Sequence, residues 1–289
     1  MSHIAGIIPV ANIPHDYSLP YSPLLLPINN DYTLLQRSVY ECALAGCSTI
    51  WIIANDDLSP LLRKHIGEWV YDPVYYNRTY TKFPSENRKE IPIYYAPINP
   101  KHRDRFDSYG WSVLYGCYIS WYASYKISKW VRPGNFYVSF PMSVVDMENI
   151  REERSLIANT EQNFLLSSEG KTILDGLPLS FTMNGEDYKK CRDHIKNITT
   201  REYLPPAQGE QYPTQKVPLE ERWSARYFDL ETVFSPLKDN YQNQHNTQFF
   251  YDNTKWENYL NMLKTEKVLF NPEKGLLKSR LHAKIPYVD

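Results

Sequence analysis

The chain is short of glycine, with 11 in 289 residues against 21 prolines. Neither G-x-G-x-x-G nor G-x-x-x-x-G-K-[ST] occurs, so the two common glycine loops that lay backbone N–H groups around a phosphate are absent. G-x-S-x-G and H-E-x-x-H are missing too, which removes the hydrolase elbow and the helical zinc-protease site. The four cysteines (Cys42, Cys47, Cys117, Cys191) make no C-x-x-C pair, and the seven histidines are dispersed. No zinc site is expected from such spacing. Cys42 and Cys117 fall within amphipathic helical patterns as small buried hydrophobes, and a reduced, intracellular or cytoplasmic setting fits. No apolar run reaches the length of a membrane span, and Met1 to Val10 has neither the basic start nor the apolar length of a signal peptide. The chain therefore reads as soluble, with no membrane partner. Excess charge is lacking as well: 32 Lys+Arg against 33 Asp+Glu leave a net of -1. Nothing global attracts nucleic acid or anionic lipid. There is no internal repeat.

Aromatic residues are abundant: 24 Tyr, 7 Trp and 11 Phe. Tyr and Trp combine a large apolar body with a polar tip, so they serve a core and also a half-wet contact surface. The same composition makes an aromatic surface, together with the proline-rich stretch 199–222 (Pro205, Pro206, Pro213, Pro218), a candidate contact for a protein partner or assembly. That stretch reads as an extended arm.

Local patterning is clearest at the start. Ala5 to Ala11 is an apolar strand, followed by a proline-punctuated loop ending in Ser22-Pro-Leu-Leu-Leu-Pro-Ile28. Tyr32 to Leu44 is helical, with Leu34, Leu35, Val39, Cys42 and Ala43 on one stripe, and Gly46 as its stop. Thr49 to Ala54 is a second strand running into Asn55-Asp56-Asp57. Ser59 caps a helix over 61–66 with Pro60 at its first position, residues 71–90 read as a polar loop, and Ile91 to Ala96 as a strand. Tyr109 to Lys129 is the strongest helix. Trp111, Leu114, Tyr115, Tyr118, Trp121, Tyr122 and Tyr125 recur at three- and four-residue steps and predict one wide buried face. Asn135 to Phe140 is a central strand. Further on, the pattern predicts helices over 151–166, 185–198 and 254–264, a strand over 176–182 and a loop over 239–247. Strands alternating with helices imply an α/β fold, a mostly parallel sheet flanked by helices. The expected division is an α/β core at 1–150, its continuation at 151–198, and an irregular C-terminal extension at 199–289.

In an open α/β sheet, ligands bind outside the carboxyl ends of the strands. There the order of motifs resembles that of sugar-nucleotide pyrophosphorylases and related nucleotidyltransferases, over about residues 4–146. Pro23-Leu-Leu-Leu-Pro-Ile28 is similar to the end of that family's Pro-Lys-Pro-Leu-Leu-Pro segment, and Thr33-Leu-Leu-Gln-Arg-Ser-Val39 to the helix after it. Ala45-Gly-Cys-Ser-Thr-Ile-Trp-Ile-Ile-Ala54 is similar to its AG-x-x-x-I-x-I-V strand, and Gly110 opens a long helix as the family's glycine does.

The resemblance implies a nucleotide-diphospho-sugar transferase-like fold, a nucleotide or nucleotide-sugar ligand, and Mg²⁺ as cofactor. Residues 11–22 depart from it, with neither glycine nor arginine, Ser22 stands at the family's lysine, and the central strand ends Phe140-Pro141 where the family has a magnesium-binding Gly-Asp. Glycine permits the close backbone approach that a triphosphate cradle needs, and Ile13-Pro14 does not. Residues offered as substitutes are Asp146 for metal and catalysis and Arg37 for phosphate; Asn12, His15, Ser22, Asp56, Asp57, Gly110 and Arg103 would bind the nucleotide. Three functions follow as expectations. The first is nucleotidyl transfer from a nucleoside triphosphate to a sugar phosphate or similar acceptor. The second is a catalytically inactive descendant serving as a binding or structural module. The third is a glycosyltransferase that holds its nucleotide sugar through Asp56-Asp57.

Overall fold

In the computed structural model, the described residues are 3–29, 32–76, 90–98, 108–128, 131–158, 163–199, 208–209, 211, 228–238 and 243–265. The first strand, β1 (His3–Pro9), leads through short β2 (Pro27–Asn29) and β3 (Tyr32–Thr33) into α1 (Leu34–Leu44). The sequence placed the helix start at Tyr32, but Thr33 caps it: its hydroxyl accepts from Gln36 N while the Gln36 side chain returns to Thr33 N. This reciprocal pairing satisfies two otherwise orphaned N–H groups. After β4 (Thr49–Ala54) comes α2 (Ser59–Ile66), whose N-cap position is taken by Leu58 and not by Ser59, the Ser59 hydroxyl making no capping bond. An edge strand β5 (Trp69–Tyr71) and a helical turn α3 (Pro73–Tyr76) occupy part of the segment read as loop.

Next come β6 (Glu90–Pro97), α4 (Tyr109–Ile127), β7 (Pro133–Val138) and β8 (Ser143–Val145). The helix predicted over 151–166 is instead α5 (Met147–Glu152) and α6 (Arg154–Ile157), and Phe164–Ser167 is strand β9. β9 lies wholly buried, and a short apolar run of that kind is read equally well as helix or strand. The strand predicted over 176–182 begins later, as β10 (Phe181–Asn184), and is followed by α7 (Gly185–Ile198). The chain finishes with α8 (Leu230–Phe234), β11 (Asn243–Asn246) inside the segment read as loop, β12 (Phe250–Asp252) and α9 (Trp256–Leu263).

Eight strands form one sheet in the order β11-β9-β10-β7-β1-β4-β6-β5. Its centre is parallel: β1 pairs with β4 and β7, and β4 pairs with β6. Antiparallel partners flank it, β10 against β7 and β5 against β6. This is the mostly parallel, helix-flanked α/β sheet expected from the sequence. The chain leaves β1 toward β4 and β6, then crosses back to β7 on the other side of β1. The strand order therefore reverses between β1 and β7, which is where ligands sit in such sheets.

Successive side chains of a strand point to opposite faces, and they divide the core. Ile4 and Ile8 of β1 join Leu34, Leu35 and Val39 of α1 on one face, while Ala5 and Ile7 join Val113, Leu114 and Cys117 of α4 on the other. α4 comes closest to the sheet at Gly116, where an added Cβ would lie 2.6 Å from Ile7 Cγ2 and 2.8 Å from Ile53 Cγ1. Such an approach leaves room only for small side chains beneath the helix, and Ser120 and Ser124 fill it. The aromatic face predicted for α4 is correspondingly split. Trp111 and Leu114 are buried, but Tyr118, Trp121, Tyr122 and Tyr125 are each 38–40% exposed on the outside. All four cysteines are buried and free, and among the described residues no helix is long and apolar enough to cross a membrane.

Candidate functional site

A cavity of about 390 Å³ opens at the carboxyl edge of the sheet, at the reversal between β1 and β7. Five segments build it. Asn12 and Pro14 come from the exit of β1, Ser108 and Tyr109 from the start of α4, Gly176 and Pro178 from the approach to β10, Phe228, Asp229 and Leu230 from the start of α8, and Asp252 and Thr254 from the end of β12 and the turn after it. Asn12 turns the chain with φ 59°, a left-handed conformation that Asn tolerates because its short amide bonds locally. The Ser112 hydroxyl donates to Ala11 O at 3.2 Å, tying the end of β1 to the first turn of α4. Ser108 caps that turn by accepting from Trp111 N at 3.1 Å.

The polar residues of the lining are Asn12, Ser108, Tyr109, Asp229, Asp252 and Thr254. Asp229 caps α8, accepting from Thr232 N at 2.8 Å, and hydrogen bonding with Thr232 holds its carboxyl below the usual range. Asp252 accepts from Thr254 N at 3.1 Å. Tyr109 is 7% exposed and its hydroxyl is buried without a hydrogen-bond partner among the described residues. Burial first, and then the neighbouring Asp252, push the phenol well above its ordinary pKa, so it is held as a neutral proton donor. A buried donor left unpaired costs roughly 1–3 kcal/mol. No Lys or Arg lines the cavity among the described residues.

The long segment after β1, where the resemblance places a phosphate cradle, is fastened to the C-terminal elements instead. Asp16 N donates to Thr254 O at 3.1 Å and Trp256 N donates to Asp16 Oδ1 at 2.8 Å. The Tyr17 hydroxyl donates to Asn253 O at 2.7 Å, and its ring meets Trp256 edge-on at 5.5 Å. The Tyr259 hydroxyl closes the far end on Pro27 O at 2.7 Å.

The structure brings only some of the sequence-derived candidates to this place. Asn12 lines the cavity, and Gly110 adjoins Tyr109 in its wall. Gly110 is filled over by α8: a Cβ there would sit 2.7 Å from Val233 Cγ2 and 2.9 Å from Val233 Cβ. Replacing Gly110 by valine should cost about 1–3 kcal/mol through overpacking, read as a lower urea midpoint at unchanged slope. His15 is exposed and edge-on to Tyr17 at 5.8 Å. Ser22 is half-buried just before a helical turn at Pro23–Leu25 and makes no capping bond. Asp56 and Asp57 lie exposed on the turn after β4, outside the cavity lining. Arg103 falls outside the described residues.

Arg37 and Asp146 sit elsewhere. Arg37 is 2% exposed on α1, against the opposite face of the sheet from α4, where its guanidinium donates to Glu41 Oε2 at 2.9 Å and to Ser143 O. Glu41 Oε1 accepts from the Tyr137 hydroxyl at 2.8 Å and from Ser180 Oγ. The arginine is thus a member of a buried structural network. Asp146 caps α5, accepting from Glu148 N at 3.0 Å, and does not line the cavity. Where the resemblance has Gly-Asp at the strand end, this chain has Phe140-Pro141, and Phe140 is fully buried, 5.2 Å from Tyr109 and 6.4 Å from Phe181 between ring centroids.

Sequence reasoning missed Asp229, Asp252 and Tyr109. The signal for Asp252 was present, because Phe249-Phe-Tyr-Asp252 is an apolar run ending in a carboxylate ahead of a helix. That is the pattern sought, and not found, at the end of β7. Among the described residues no cluster of three or more His, Cys, Asp or Glu could hold a metal by itself. Mg²⁺, however, is commonly held by one or two carboxylates plus substrate phosphates and water. Asp252 and Asp229 are the two carboxylates that line the cavity.

No protein-family model matches the chain, and no curated protein matches it in sequence. Solved structures do match. A glucose-1-phosphate thymidylyltransferase from Bacillus anthracis, in complex with sucrose, superposes with a TM-score of 0.57 at 9% identity, covering 93% of this chain and 96% of that one. A UDP-glucose pyrophosphorylase bound to UDP-glucose gives 0.52 at 13% identity, covering 91% and 98%. An apo UDP-glucose pyrophosphorylase gives 0.52 at 12%, covering 91% and 97%. The fold is that of the sugar-nucleotide pyrophosphorylase-like nucleotidyltransferases, over nearly the whole chain.

Proposed function

We propose that this chain is a divergent nucleotidyltransferase-like protein that takes a nucleotide or nucleotide sugar, with Mg²⁺, in the cavity at the carboxyl edge of its sheet. The observation that carries this reading is a cavity at the reversal of strand order that presents Asp252 and Asp229, with Tyr109 in its wall. Polyhydroxylated groups offer O–H donors to the carboxylates. Asp252 and Asp229 would hold a divalent cation, which when bound supplies the positive charge that phosphoryl chemistry requires. Tyr109, Asn12 and Ser108 would shape the wall beside it. The reaction this arrangement suits is nucleotidyl transfer to a sugar phosphate or similar acceptor.

Binding without turnover is a second reading, favoured by the fastening of residues 16–17 and 27 onto the turn after β12 and α9, which leaves that segment without a cradle. The glycosyltransferase reading has less support, because Asp56 and Asp57 stand outside the cavity lining.

Thermal shift with each nucleoside triphosphate and with UDP- and GDP-sugars, with and without Mg²⁺, tests the proposal. At a ligand concentration of about 100 Kd, stabilisation near 2.7 kcal/mol is expected, and Asp252→Asn should remove the Mg²⁺-dependent part. No shift with any of these ligands would end the proposal. A shift without pyrophosphate release, in the presence of sugar phosphates, would select the second reading.

A further inference from the structure

The outward face of α4 carries an unusual arrangement away from the cavity. α4 runs back from the carboxyl edge, so its second half lies toward the opposite end of the sheet. Tyr118 and Tyr122 stack at 5.7 Å with planes 18° apart, and Trp121 and Tyr125 stack at 5.4 Å with planes 3° apart. Each pair is capped by a cation, with Lys126 Nζ 5.4 Å over the Tyr122 ring and Arg132 5.9 Å over the Tyr125 ring. Arg192 adds another positive charge on α7, bonded to Tyr188, whose phenol interacts with Tyr118. From Ser108 to Val145 the sequence contains no Asp or Glu.

We propose that this face docks a helix of another protein whose apolar stripe is flanked by acidic residues. One face of each ring is covered by its stacking partner, and the second face of Tyr122 and of Tyr125 by a cation, so most of the ring faces on which nucleobases would stack are taken and edges and hydroxyls are left for protein packing. The rings are also held in place before binding, so little rotamer freedom remains to be lost. Tyr, Trp and Arg are the residue types that carry most binding energy in protein interfaces. The positive rim chooses among partners. A second copy in a two-fold contact would bring the same patch against itself, setting its positive rim against a positive rim with no acid on α4 itself to offset it. A bilayer would need more aliphatic surface than Ile127 and Val131, exposed at 75% and 42%. The inference is independent of the cavity and its ligand.

The test uses the full chain and a fluorescein-labelled helical peptide of about five turns, with a leucine stripe flanked by glutamates, beside a twin flanked by lysines. The glutamate peptide should bind at least about tenfold more tightly than its twin. Trp121→Ala, at an exposed position, should weaken it by about tenfold or more. Lys126→Glu combined with Arg132→Glu should invert the preference, which simple loss of fold could not do. Equal binding of both peptides, no binding of either, or no effect of Trp121→Ala would overturn the proposal. So would finding that the same substitutions abolish binding to phosphatidylcholine–phosphatidylserine vesicles or oligo(dT), or abolish self-association in ultracentrifugation.

Discussion

Replacing Glu41 by alanine is expected to cost about 3–5 kcal/mol, because it strands a buried guanidinium. Glu41 is 1% exposed and receives Arg37, Tyr137 and Ser180 at its two oxygens, so every lone pair used there is lost together. Against a total stability of about 5–15 kcal/mol, the variant should be marginal, with a urea midpoint lowered by a large fraction. The double variant Arg37→Met/Glu41→Leu should recover part of that loss, since an apolar pair of similar volume carries no stranded charge. Recovery should stay incomplete, because the Tyr137 and Ser180 hydroxyls lose their acceptor, at about 1–3 kcal/mol for each buried group left unpaired. Ligand binding in the double variant should be unchanged. A double variant that folds but loses nucleotide binding would return Arg37 to the site.

Phe140→Ala should cost a comparable amount, about 3–5 kcal/mol for a fully buried aromatic. Its ring lies edge-on to Tyr109 and packs against Phe181, which in turn meets Phe234 at 5.1 Å. The strand end where the resemblance has Gly-Asp therefore carries a joint, Phe140, between the wall of the cavity and the core beneath α8. Phe140→Asp should be at least as damaging, since it buries an unpaired charge. Equilibrium unfolding in urea checks both. A Phe140→Asp variant as stable as the parent, with improved Mg²⁺ binding, would show that this strand end can still serve a metal.

The parallel half of the fold was legible because each element there carries its own signal. A stripe of apolar residues marked α1, apolar runs marked β1 and β4, and a capping pattern with proline marked α2. Periodicity failed on α4 for a specific reason. Both faces of that helix are apolar, and the choice between them is made by Gly116, whose contact with Ile7 and Ile53 turns the small residues inward and the aromatics out. β9 was misread because a fully buried strand has no alternation, and β11 because an Asn/Gln-rich edge strand is specified by its neighbour more than by its own residues. Of the cavity, the sequence offered Asn12 and the vicinity of Gly110. Asp229 and Asp252 stand far along the chain from both, and only the return of α8 and β12 to the end of β1 places them there. Arg37 illustrates the converse, since a cation in the expected segment was committed to a carboxylate one turn away on the same helix.

Crystals of the full chain grown with UDP-glucose and Mn²⁺ in place of Mg²⁺ offer the most direct measurement, through the anomalous signal of the metal. A peak bound by Asp252 or Asp229, with ligand density in the cavity against Asn12 and Tyr109, is the expected result. Ligand seated away from this cavity, or an empty cavity at saturating nucleotide sugar and nucleoside triphosphate, would contradict the account.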